Sequence, residues 1–509
     1  MTALAAGSRA AQAGGEGRST RRLGLILALA ALAGGLAAGA LAVSDHAAAL
    51  LALPLVVLPV VLWRRPDLGP FVLIFTALTV EQSPYMIGTR NGAITDRIPL
   101  FRGLGQSTHV NPADILVLLM IAICLVKRQA GPASRVHTAI RPCMLGLLGA
   151  VVLGFVVGQA HGGDLRTSLT EIRPYAYLAA AYFLAASLAT SRTSIRAALW
   201  AFVLGSGIKA VQGVELFLSA RNMDPRPEAI LGHEEALFFG LFIFLTIALW
   251  LWDVKGALRT TATLLLPVVL VADMANSRRT AWLILGAGLV VMAVIGYACL
   301  PGRRRVLARI AVVMSLAAAV YLPIYWNHTG TLAQPARAIH SAISPSERDA
   351  ASDLYRVQEN ANLRLNIRQG GILGKGFGVP IDYALPIVDI SSIDPLIKYI
   401  PHDGVLYIFV RMGVLGAIAM WALLAAGIIT AGRLVRSSDR WSAVVGAVLA
   451  CGLIAYALQG YNDQGFFFYR IAFVIGTLLG LSEACLRLQA DPAPERSEPA
   501  AIAPAGSKA

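Results

Sequence analysis

The feature that most limits what this chain can become is a long succession of apolar runs. Most are near 20 residues, enough to carry a helix across a hydrocarbon layer of roughly 30 Å and too long for β-barrel strands of about 10 residues. The composition agrees: 57% of the residues are hydrophobic and 14% charged, where a typical soluble domain carries about 25% charged residues. A water-soluble globule is excluded. The 48 glycines are spread along the apolar runs without a collagen period, which excludes a fibrous or disordered chain. The expected class is all-α, a polytopic transmembrane helical bundle.

Runs bounded by charge or turn residues place spans near 23–43, 47–63, 69–81, 112–126, 143–159, 174–190, 197–217, 233–252, 260–275, 279–300, 308–325, 404–431, 441–459 and 468–487. That count is about fourteen, with the third and fourth weakly bounded. With both termini in the cytoplasm, more than half of the 43 Lys and Arg residues fall in inner segments, as the positive-inside rule requires. The organisation expected is a disordered tail over 1–22, helices over 23–325, a loop domain over 326–403, helices over 404–487 and a second tail over 488–509. The first run follows Arg21-Arg22 and ends near Ala40-Leu41-Ala42, but its length and the span after it favour an uncleaved anchor over a signal peptide.

The net charge of +14 is absorbed by loop orientation, so nucleic acid is not an expected partner. The five cysteines fall in or beside apolar runs with no C-x-x-C pair, so neither a disulfide framework nor a zinc site is expected. There is no D-x-D pair, HExxH, G-x-S-x-G elbow or Walker loop, and no metal or cofactor is expected.

Only two outer segments are long, 82–111 and 326–403. The second exceeds what a connection needs and is expected to form a small, partly helical domain on the bundle. Residues 352–369 have the helical pattern, with Asp353 as a cap and Leu354, Val357, Ala361 and Leu365 recurring at three or four.

Three polar clusters stand out. Ser277-Arg278-Arg279-Thr280-Ala281-Trp282 joins spans nine and ten on the outer side, where paired arginines are unexpected. It reads either as snorkelling side chains with a belt tryptophan or as a guanidinium pair suited to a phosphate or diphosphate. The run from Arg356 to Gly378 sets Arg356, Arg364, Arg368 and Lys375 against the single acid Glu359. It is either a solvated helix face or a positive patch in which the three arginines share one face. The glycines Gly371, Gly374, Gly376 and Gly378 imitate a nucleotide loop but lack a preceding strand, and read as a tight turn.

The third cluster, His402-Asp403, opens span twelve and is followed by Gly404, Tyr407, Arg411 and Gly413. His402 is either structural or able to accept a hydroxyl proton. Arg411, two turns into the span, is costly unless paired or facing a wet cavity. Lys209 and Asp273 are intramembrane ionisable residues open to the same two readings.

With these residues in hand, the chain resembles the O-antigen ligase and polymerase superfamily, GT-C type membrane glycosyltransferases that use undecaprenyl-diphosphate-linked glycans. The resemblance covers about the C-terminal two thirds. It rests on the S-R-x-x-W-like hairpin (Ser277, Arg278, Trp282), on Arg356 eighteen residues ahead of the G-x-G-x-G turn at Gly374, and on the stretch HDGVLYIFVRMGVLG from His402. It implies a metal-independent inverting transfer on the extracytoplasmic face of the inner membrane, for cell-surface polysaccharide assembly. Arg278 or Arg279 and Arg356 match the diphosphate-binding positions and His402 the catalytic one, with Arg364, Arg368 and Arg411 as further candidate substrate contacts. The implied partners are the lipid-linked donor, a glycan or glycolipid acceptor and the bilayer. The family places an asparagine after the histidine, and here it is Asp403. The competing expectation is a secondary transporter or lipid-linked glycan flippase, for which Lys209 and Arg411 would line a path; two related halves, which such a fold would carry, are not visible.

Overall fold

The computed structural model describes residues 57–82, 110–127, 138–223, 229–328, 330–391 and 395–490, with positions 95, 98, 100 and 101. The first expected span, residues 47–56 of the second, the tail over 1–22 and residues 491–509 of the second tail lie outside the described residues, as does most of segment 82–111; residues 488–490, expected in that tail, continue the last helix. All regular structure described is helical. After a helical stretch over 57–64 come α1 (Gly69–Thr79), α2 (Pro112–Val126), α3 (Ile140–Ala160), α4 (Leu165–Leu188), α5 (Arg192–Ser219), α6 (Glu234–Leu251) and α7 (Ala257–Asn276). There follow α8 (Arg279–Cys299), α9 (Arg304–Tyr325), α10 (Gln334–Ile343), α11 (Glu347–Gly370), α12 (Gly404–Leu434), α13 (Arg440–Asn462) and α14 (Tyr469–Ala490). Nine helices among the described residues are long and apolar enough to cross a membrane; α1 and α2 are shorter and apolar.

The bundle is ordered from centre to rim. Side chains of α6, α13 and α14 are buried along most of their length, whereas α9 has none buried. An all-round apolar helix such as α6 belongs inside, and only lipid suits the surface of α9. In the centre α14 lies against α4 through Gly476 and Gly480, where a side-chain carbon would overlap the carbonyl oxygens of Leu178 and Tyr182. Two small residues four apart let backbones approach where no hydrophobic driving force separates helix from lipid.

Between α9 and α12 the chain builds the short α10 and the 24-residue α11. Ser346, not Asp353, caps α11, accepting from the Asp349 amide. The buried stripe also differs from the expected apolar one. Leu354 and Val357 are exposed, and Glu359, Asn362, Leu363 and Asn366 face inward. The reason is a need for hydrogen bonds. Asn362 pairs with both backbone groups of Leu385, and Asn366 with both of Asp382, so two amides take the place of a neighbouring strand for the segment after the glycine turn.

That turn is the seam between α11 and the bundle. Gly374, Gly376 and Gly378 have φ of +75°, +83° and +79°, and a Cβ on Gly376 would overlap the backbone of Gly158 in α3; glycine answers both demands. Opposite it α12 breaks at Gly413 (φ +62°, ψ −156°). The backbone groups freed there are taken up by the turn: the Lys375 amide donates to Val410 O at 2.7 Å and the Val414 amide to Ile372 O at 2.9 Å. Broken helices are tolerated at membrane depth only with such substitutes.

Candidate functional site

The site is assembled at the bundle end where α6, α8, α12 and α14 begin and α7 and α13 finish. The connection from α7 to α8 is only Ser277 and Arg278, with Ser277 left-handed at φ +54°. Asn276, fully buried, accepts from the Leu231 amide at 3.0 Å and donates to Gly232 O at 3.1 Å. The Arg278 guanidinium reaches Leu231 O at 3.4 Å. This hairpin therefore positions the segment that delivers His233, whose Nδ1 pairs with Asp463 at the end of α13.

His402 is fixed from several directions. Glu359 of α11, itself fully buried, accepts from the His402 backbone amide at 3.1 Å and meets Nδ1 at 3.2 Å. Tyr355 packs edge-on against the ring at 5.6 Å, and the His402 carbonyl accepts from the Gln464 amide at 2.8 Å. The ring is still 24% exposed, so Nε2 is the nitrogen left for chemistry.

The electrostatics tie these pieces together. Burial lowers the His402 pKa, but the hydrogen bond and charge of Glu359 outweigh it and hold the imidazole above its ordinary value near 6.5; Arg356 opposes and Asp463 supports the shift. Burial raises the Asp463 pKa, yet the charge and hydrogen bond of His233, with the charges of Arg356 and Arg278, hold it below the usual carboxylate value. Arg278, Arg356 and the two His–carboxylate pairs therefore share one field.

The structure separates the adjacent arginines. Arg278 reaches Leu231 O and its charge bears on Asp463, whereas Arg279 forms an ion pair with Asp353 at 3.2 Å and lies 3.9 Å from Asp349, both on α11. Arg364 and Arg368 are exposed on α11 and Arg356 is half-buried. Among the described residues no carboxylate lies within ion-pair distance of these three. Lys375 is committed to Asn366 and Asp382. Asp403 caps α12, accepting from the Val405 and Leu406 amides at 3.0 and 2.9 Å. Burial raises its pKa, the two amides oppose this, and the neighbouring Glu359 and Arg364 act in opposite senses. Its carboxylate is spent on the helix end.

Arg411, expected to line a path or touch substrate, has a different place. It is fully buried, 2.7 Å from fully buried Glu171 of α4, and donates to Gly376 O at 3.0 Å, Val379 O and Tyr399 O at 2.7 Å. It pins the loop to the bundle. Lys209 likewise pairs with Glu81. Arg470, at the start of the last expected span, lies inside α14 against Glu235 at 2.6 Å and Glu234 at 3.8 Å. Asp273 is buried in α7, and its Oδ1 has no hydrogen-bond partner among the described residues.

Sequence reading missed Glu171, His233 and Asp463, and counted Glu359 only as a charge. One signal was available: His233-Glu234-Glu235 open an apolar run and Asn462-Asp463 close one at the same end as His402. Among the described residues no group of three or more His, Cys, Asp or Glu is arranged to hold a metal ion.

The apolar helices and their packing define a multi-pass membrane protein. No protein-family model matches the chain, and no curated protein does.

Proposed function

We propose that this protein is a membrane glycosyltransferase of the O-antigen ligase or polymerase type, acting on an undecaprenyl-diphosphate-linked glycan at the extracytoplasmic face. The observation that carries the reading is the pairing of His402 with buried Glu359, with the charge of Arg356 on His402 and the charges of Arg356 and Arg278 on the neighbouring Asp463. In this reading the bundle has about fourteen spans and 326–403 forms the outer domain.

The chemistry follows from the groups. An acceptor hydroxyl attacks the anomeric carbon as the bond from that carbon to the phosphate oxygen breaks, and the lipid diphosphate leaves with the electron pair. His402 Nε2 takes the hydroxyl proton, and Glu359 on Nδ1 stabilises the resulting imidazolium. Arg278 and Arg356 bear on the negative charge that develops on the leaving group, as preorganised cations do in a water-poor site. Arg364 and Arg368 remain candidates for further contacts to the donor or glycan, and Arg279 acts through α11.

The transporter reading loses its two marker residues, because Lys209 and Arg411 both have carboxylate partners inside the bundle. The test is to delete the gene and separate lipid-linked and surface glycans on a gel. Accumulated lipid-linked precursor, relieved by the wild-type gene but not by His402→Ala at equal protein abundance, supports the transferase. Unchanged surface glycan, or full rescue by His402→Ala, overturns it.

A further inference from the structure

We propose a second binding site at the opposite end of the bundle, a seat for an anionic phospholipid headgroup. A hollow of about 590 Å³ opens there between the start of α5, the α6–α7 turn and the start of α13. Arg192, Arg196, Lys255 and Arg440 line it, against Asp253 and Asp439. Four cations facing two carboxylates leave a local excess of positive charge, which two phosphodiesters would match.

The two acids are already engaged. Asp253 pairs with Arg259 at 3.2 Å and Arg440 at 3.4 Å, and Asp439 accepts from Ser442 at 2.7 Å. Among the described residues no carboxylate lies within ion-pair distance of Arg192 or Arg196. The Arg196 guanidinium instead rests on the Trp441 ring at 4.7 Å, which holds the fork at the wall of the hollow.

Depth argues for lipid over a dissolved anion. Trp441 is in the lining, and half-exposed Trp250 closes α6 nearby with Arg259 stacked on it at 4.3 Å. Tryptophans gather at headgroup level, and basic pockets between spanning helices take the headgroups of doubly charged lipids. Loop orientation alone explains arginines on this face but not their convergence around a cavity.

The site is independent of the transferase reading and is tested on purified full-length protein in detergent. Diphosphatidylglycerol, phosphatidylethanolamine and inorganic phosphate are each titrated, with native mass spectrometry counting adducts and thermal unfolding as a second readout. Wild type is expected to retain diphosphatidylglycerol in preference to phosphatidylethanolamine. A basic residue near a lipid surface is worth about fivefold in binding, so Arg192→Ala with Arg196→Ala should weaken the adduct by roughly 25-fold, with most binding kept when both are Lys. If the double alanine variant unfolds without lipid, Arg196→Gln alone carries the comparison, with about fivefold weakening expected. No preference for diphosphatidylglycerol, an unchanged affinity in the variants, or displacement of the lipid by equimolar phosphate would overturn the proposal.

Discussion

The carboxylate of Glu359 lies 3.2 Å from Nδ1 of His402, fully buried where the histidine is still 24% exposed. A helix of the loop thus supplies the partner that orients a residue at the mouth of a membrane helix, 43 positions away. With Nδ1 fixed on a buried carboxylate, Nε2 is the ring nitrogen that Glu359 does not engage.

The pair sets a pH dependence. The raised His402 pKa means the neutral base is present only above a value shifted up from 6.5, so turnover should rise with pH through that range. Glu359→Gln should move this acidic limb to lower pH and reduce turnover by about 10- to 100-fold. The raised pKa also adds stability to the folded state, fully present below the unfolded value and lost as pH rises through the folded one. A pH–rate profile that does not move in Glu359→Gln would remove the oriented-base account.

Arg278 and Arg279 should behave differently despite being adjacent. Losing a charge-assisted contact costs about 1.5–3 kcal/mol, so Arg278→Ala should weaken donor handling by roughly 10- to 150-fold, with partial rescue by Lys. Arg279→Ala should leave donor binding near wild type. Its coupling to Asp353→Ala should be about 0.2–1 kcal/mol, since both groups are partly exposed. Measured donor affinity and a double-mutant cycle separate the two roles; equal loss of affinity in both variants counts against the assignment.

Arg411 and Glu171 form a fully buried pair. Removing one partner should cost about 3–5 kcal/mol, because an uncompensated charge is left inside. Arg411→Met is therefore expected to lower the detergent unfolding temperature sharply, and adding Glu171→Leu to recover part of it. If Arg411→Met keeps wild-type stability and loses only donor binding, Arg411 is a substrate contact after all.

The Gly476 and Gly480 contact with α4 should tolerate no side chain. Gly480→Val is expected to cost at least about 1–3 kcal/mol through overpacking, read as a lower unfolding temperature. A neutral Val at 480 would show that α4 and α14 are not pressed together there.

Sidedness is read by cysteine labelling after the five native cysteines are replaced. Asn276 is fully buried and cannot serve as a probe of the hairpin. Ser344 and Lys255 are exposed at opposite ends of the bundle. Ser344→Cys should react with a membrane-impermeant thiol reagent in intact cells, and Lys255→Cys only after lysis. The reverse pattern would invert the proposed topology.

Much of the architecture was written along the chain. Hydropathy placed a helix over 112–126, and one spans Pro112–Val126; most other helices differ from their expected bounds by a few residues. Three of the site residues, Arg278, Arg356 and His402, stood out as polar groups at odds with their surroundings. Along α11, however, periodicity pointed to Leu354 and Val357 where Glu359, Asn362 and Asn366 are buried. Apolar spacing is informative when water is the alternative to burial, and it loses its meaning for a helix whose inner face serves the backbone of a neighbouring loop.

What the sequence determined by itself is the solvent: runs of apolar residues long enough to cross a bilayer leave a helical bundle as the available form, because each backbone group must be satisfied within its own segment. What only the tertiary structure decided is which charges meet. His233 finds Asp463 230 positions away and Arg411 finds Glu171 across 240, pairings with no local signature. A buried charge reveals in sequence that it needs a partner, but the partner is chosen by helix packing and by the breaks at Gly376 and Gly413 that bring the loop against the bundle.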